Sequence, residues 1–166
     1  MLLTGAARAE IVLQGVTEFT EEVELGTMAT GVVAALKVAE GQDVTAGAAL
    51  AEIESDLQAA RVAIARVAAD AVAPIEAAKA DLALSASRLT RIERAVSRGG
   101  AAKWELSEAK LAVTSAKARL VSVEEEHAAN EARLALEMAS LRQFTLTAPF
   151  DGRVVEVFAK VGALAN

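Results

Sequence analysis

Apolar residues follow two different periods along this chain. From Glu10 to Glu54 they come in short Val- and Ala-rich runs broken by Gly and Thr, the texture of strands and turns, and that texture returns from Gln143 to Asn166. From Ser55 to Arg142 the only glycines are one adjacent pair, Ala is abundant, and apolar positions recur at helical spacing. A helical block therefore interrupts a β block. Gly31–Val38 reads as a strand, Glu40-Gly41-Gln42 as a turn, and Asp43–Ile53 as a short extended piece, a second Gly turn and a second strand. In the last zone Phe144-Thr145-Leu146-Thr147 alternates as a strand does, Pro149–Gly152 turns the chain, and Arg153–Phe158 runs on extended.

The helical block opens on Ser55-Asp56-Leu57-Gln58, a capping-box pattern in which the hydroxyl accepts a backbone N–H and the amide reaches back. Leu57, Ile64, Ala71, Ala78, Ser85 and Ile92 then occupy one heptad position, with Ala68, Ile75, Leu82, Leu89 and Val96 at the other. Gly99-Gly100 ends this run. The next has Leu106, Val113, Leu120, His127, Leu134 and Leu141 at one position and Ala109, Ala116, Val123, Asn130, Glu137 and Phe144 at the other. Two such runs joined by a Gly pair predict an antiparallel α-hairpin with arms of about 60 Å, on a rise of about 1.5 Å per residue. Equal steps outward from the turn set Val113 against Leu89, Leu120 against Leu82, and His127 close to Pro74. Pro74 lacks an N–H and clashes with the carbonyl four residues back, so the first arm should bend near Asp70, with His127 and Asn130 satisfying the freed groups.

Composition narrows the functions open to such a chain. It has 166 residues, 54% hydrophobic but only 3% aromatic, which suits closely packed helices better than a thick core. A net charge of -6, from 17 basic and 23 acidic residues, argues against nucleic acid as a partner. With no Cys and one His there is no thiol nucleophile and no Cys/His metal cluster, and a triad around His127 would need a poised Ser and carboxylate. No catalytic residue is assigned on these grounds, and no cofactor or metal is expected. No apolar run is long enough to span a bilayer. Residues 1–9, ending in Ala7-Arg8-Ala9, read either as the remnant of a signal peptide or as an Ala-rich start.

The block Gly31-Val32-x5-Val38-x2-Gly41-x2-Val44-x2-Gly47-x2-Leu50-Ala51-x-Ile53 resembles the first half of a biotinyl/lipoyl-type barrel-sandwich domain. Thr147-Ala148-Pro149-Phe150-Asp151-Gly152-Arg153-Val154, with Val161-Gly162, resembles the second. Two halves split by an α-hairpin are similar to the periplasmic adaptors, or membrane fusion proteins, of HlyD-like and RND efflux systems. The resemblance implies an α+β fold: a lipoyl-like β barrel-sandwich domain split by a long antiparallel α-helical coiled-coil hairpin. On that division residues 10–54 are the first half, 55–142 the hairpin and 143–166 a second half that reads as incomplete, without its closing strand.

The resemblance also bears on function. Carrier domains of this fold bear a modified Lys on the hairpin between the halves, in sequences resembling Glu-Thr-Asp-Lys-Ala, whereas here Glu54-Ser55-Asp56 is followed by Leu57. Adaptors that dock TolC-like channels often show Arg, Leu and Ser near the hairpin tip; this chain keeps Arg91 and has Ala95 and Ala102 at the other two places. Arg91, Arg98, Lys103 and Trp104 are the residues expected to contact a partner at the tip. The family implies a periplasmic subunit, held at the inner membrane through its partners, that bridges an inner-membrane transporter to an outer-membrane channel and associates with copies of itself in a ring. The alternatives are a biotinyl/lipoyl-type carrier domain or a freestanding coiled-coil scaffold.

Overall fold

The computed structural model describes residues 22–165. The Ala7-Arg8-Ala9 segment, and the first half as far as residue 21, lie outside the described residues. The chain runs through β1 (Gly31–Leu36), β2 (Asp43–Val44), β3 (Ala49–Ile53), α1 (Asp56–Ala69), α2 (Ala73–Ser97), α3 (Lys103–Arg142), β4 (Thr145–Thr147), β5 (Gly152–Arg153) and β6 (Leu164–Ala165).

The first zone pairs β1 with β3, but neither zone completes its sheet alone. Four strands are ordered β4-β3-β1-β6, and β2 pairs with β5 in a separate ribbon, every contact antiparallel. The β3–β4, β1–β6 and β2–β5 ladders each join one zone to the other. A small core of Val33, Leu50, Ala51, Ile53 and Ala148 is buried between them. Gly31 is required by closeness: a Cβ there would stand 2.6 Å from Cγ2 of Ile53. The Ile53 N–H donates to the Phe144 carbonyl at 2.8 Å, so the chain leaves the sheet for the helices and re-enters it at neighbouring points. That adjacency is why a long helical excursion does not disturb the sheet.

Several local expectations give way to longer-range contacts. The extended run expected at Arg153–Phe158 pairs as a ladder only at Gly152–Arg153, and a two-residue strand that the sequence pattern did not mark, β6, pairs with Gly31 and Val32. Ser55 makes no side-chain cap. Its supposed partner Gln58 is instead buried, 7% exposed, and donates to both the carbonyl oxygen of Glu137 (3.1 Å) and its Oε2 (2.7 Å). The first arm is broken rather than bent: α1 stops at Ala69, α2 starts at Ala73, and Pro74 takes a first-turn position where its missing N–H costs nothing.

The break resets the helical phase. In α2, Ala78 is buried and Ile75, Leu82, Ser85, Leu89, Ile92 and Val96 are half-buried, as the heptads predict. In α3, Ala109 is buried, and all the other seam positions from Leu106 to Leu141 are half-buried. In α1, however, the buried residues are Gln58, Val62, Ala65 and Ala69, one place later than expected. Leu57 and Ile64, placed in the seam by sequence, are 70% and 71% exposed. The residues between α1 and α2 uncouple the two stretches, so a phase carried back through Pro74 misses by one residue, about 100° around a helix.

Candidate docking surface at the hairpin tip

The tip is built by two helix ends. α2 closes with a Schellman motif: the Gly100 N–H donates to the Ala95 carbonyl (2.9 Å) and the Gly99 N–H to Val96 (3.0 Å), with Gly99 at φ 75°. This satisfies carbonyls that would otherwise point bare into solvent. Across the turn, Glu105 at the start of α3 accepts the Ala102 N–H on Oε1 at 3.3 Å, an acidic group where a helix N-terminus favours one. Arg98, the C-cap of α2, has the sign that favours a helix C-terminus, whereas Lys103 opens α3 with the unfavourable sign. Nothing local to α3 explains the Lys.

The four residues singled out by sequence do not all meet. Arg98, Lys103 and Trp104 share the turn, each exposed, and Trp104 leaves 67% of its surface outside the hairpin. Packing within the hairpin therefore does not account for that ring. Arg91 is exposed on α2, seven residues before Arg98, which is about 10 Å back along the axis. Sequence reasoning passed over a second group, because heptads direct attention to the seam: Leu84 on α2, Leu111 on α3 and Val67 on α1 are large and exposed on the outer faces, where Leu57 and Ile64, assigned to the seam, also lie.

At the other end of the hairpin, Arg153 on β5 forms a two-pronged pair with Asp43 on β2, at 2.7 and 3.0 Å. The guanidinium's hydrogen bond and charge hold the Asp43 carboxyl below its ordinary range and push Arg153 up, though both are exposed. Asp151 accepts the Ala46 N–H on Oδ1 at 2.7 Å, tying the second zone to the Gly47 turn of the first. No group of three metal-ligating side chains occurs among the described residues. The open grooves along the helices and beside β4 are shallow and bordered by Arg61, Arg133 and Arg142.

A small sheet assembled from two distant zones, with a helical hairpin issuing between them, defines a barrel-sandwich hybrid bearing an arm. Residues 21–166 match the family described as RND MFP, barrel-sandwich hybrid domain, and the chain belongs to that family of membrane fusion proteins. The crystal structure of MacA from Actinobacillus actinomycetemcomitans resembles it with a TM-score of 0.82 at 26% identity, over 89% of this chain and 46% of MacA. The chain thus spans less than half the length of that relative. The periplasmic adaptor protein EmrA shares the fold, with a TM-score of 0.50 and 15% identity over 85% of this chain and 67% of EmrA. No curated protein matches the sequence.

Proposed function

We propose that this chain is the hairpin-bearing part of a non-enzymatic periplasmic adaptor, which bridges an inner-membrane transporter to an outer-membrane channel in a tripartite efflux or type I secretion system. The observation that carries this reading is the exposed Trp104, with Arg98 and Lys103, at the far end of an arm about 60 Å long, where no hydrophobic layer remains to bury it. Membership of the membrane fusion protein family supports it. In this reading the β zones are the base, the coiled-coil hairpin is the arm, and copies of the chain stand side by side in a ring. The base binds no lipoyl or biotinyl group, since the β3–α1 junction runs Glu54-Ser55-Asp56-Leu57 with no Lys to carry one. No helix among the described residues is long and apolar enough to cross a membrane. In this reading the subunit is held at the inner membrane through its partners.

A photo-crosslinking residue at position 104, introduced in the cell that makes the protein, tests the reading. Capture of an outer-membrane channel from position 104, but not from position 79 in the second turn of α2, is the expected result. Equal capture from both positions, or none from position 104, would refute docking through the tip.

A further inference from the structure

The single imidazole of the chain sits in the hairpin seam with one nitrogen that meets nothing. His127 lies on α3 with its side chain 22% exposed; Nε2 faces Glu131 Oε1 one turn onward at 3.6 Å, and Nδ1 is buried with no hydrogen-bond partner among the described residues. The expected contact with the groups freed near Pro74 is not made. Two cross-arm contacts fix what lies opposite: Arg119 to Asp81 at 3.9 Å, and Gln58 to Glu137. Eight residues on from Arg119 is His127, and eight back from Asp81 is Ala73; ten residues back from Glu137 is His127, and ten on from Gln58 is Ala68. Both counts set His127 against the break between α1 and α2. There, among the described residues, the carbonyls of Ala68, Ala69, Asp70 and Ala71 accept no backbone N–H.

A neutral imidazole has one N–H. With that hydrogen on Nε2, toward the Glu131 carboxylate, Nδ1 presents only a lone pair to the seam, and an unfilled lone pair is tolerated more easily than a bare donor. Protonation puts a charged N–H at Nδ1 with no acceptor, the costlier kind of unsatisfied group. The unused acceptors are the carbonyls of the break, and turning the ring toward them pries the first arm from α3. Charged groups around the break are Arg66 on α1, Asp70 at its C-cap, Glu76 and Lys79 on α2, paired at 3.0 Å, and Glu124 and Glu131 on α3. All are exposed, so water screens their pull on the ring. Glu131 alone approaches it, 3.6 Å from Nε2, and holds that end of the ring in place.

We propose that His127 makes the α1–α2 break a proton-operated hinge: the neutral ring holds the arms closed, and the protonated ring opens the hairpin at Asp70–Val72. This inference does not rest on the role in transport. Hydrogen exchange of the whole chain at about pH 7.5 and about pH 5.5, either side of the range where imidazoles change charge, tests it once rates are scaled for intrinsic exchange. The amides of residues 66–77 and 124–131 are expected to lose protection about tenfold at the lower pH, while residues 85–95 and 106–116 keep theirs. His127→Leu should abolish the difference at unchanged helicity, and Glu131→Gln should enlarge it by removing the attraction that holds the charged ring in place. Equal protection at both pH values in the wild type, equal loss along the whole hairpin, or a loss that survives in His127→Leu would overturn the hinge. Should His127→Leu not fold, Glu131→Gln decides, and an undiminished but unenlarged difference there counts against the proposal.

Discussion

Gln58 is the one polar side chain buried among the described residues, and both amide hydrogens are engaged by Glu137, one by its carbonyl and one by its carboxylate. Replacing it by Leu keeps the volume but leaves a half-buried carboxylate without its donor. The expected loss is about 1–3 kcal/mol, read from denaturant unfolding of Gln58→Leu beside the wild type. Nothing in the sequence pointed to this pair, since a Gln three residues after a Ser fits a local cap equally well, and the better acceptor is 79 positions away. The Asp43–Arg153 pair was equally hidden, and its sign with pH is definite. Because Asp43 is held below its ordinary range in the fold, its contribution is present above that range and is lost as pH falls through the lowered value. Asp43→Asn should therefore melt below the wild type at neutral pH, and the gap should close as pH drops below about 4. A gap that widened in acid would contradict the pairing.

Helix ends, more than helix interiors, decide this arm. The heptads were legible throughout α2 and α3 because apolar side chains there face a partner at nearly every seam position. They misled in α1 because Ala is abundant enough to support either of two adjacent phases, and the phase is settled by Gln58 and by the break at Asp70–Val72, not by hydrophobicity. The corrected register separates substitutions that the sequence alone would rank together. Leu82→Asp or Leu120→Asp puts an unpaired carboxylate against the seam and should cost about 2–4 kcal/mol. Ile64→Asp, on a side chain 71% exposed, should change stability by less than about 0.5 kcal/mol. Thermal melts of the three variants check the pattern, and a large loss in Ile64→Asp would restore the original phase. Gly99→Ala should cost about 1 kcal/mol, because a Cβ is strained at φ 75° and the Schellman bonds depend on that angle.

At the scale of the whole molecule, the order of strand zone, helices and strand zone was readable because Gly turns and heptads differ so sharply, whereas the ladders that join the zones depend on contacts across more than 90 residues. A short strand pair is marginal alone, so each zone needs the other, and the adjacency of Ile53 and Phe144 lets the arm extend without straining the base. That separation of base from arm allows stability and docking to be tested independently. Trp104 and Arg98 are exposed beyond the last seam layer, where surface charges contribute less than about 1 kcal/mol to folding. Against a partner the same ring and guanidinium would be desolvated, and such groups can each carry about 2 kcal/mol or more of binding. Trp104→Ala combined with Arg98→Ala should therefore keep the helicity and melting temperature of the wild type while lowering transport and crosslinking to the outer-membrane channel. Arg91→Ala, about 10 Å back from the turn, should have the smaller effect if contact is confined to the tip. Full transport by the double variant at equal protein level would move the docking surface off the tip, and the exposed Leu84 and Leu111 on the outer faces of the hairpin would then be the next residues to replace.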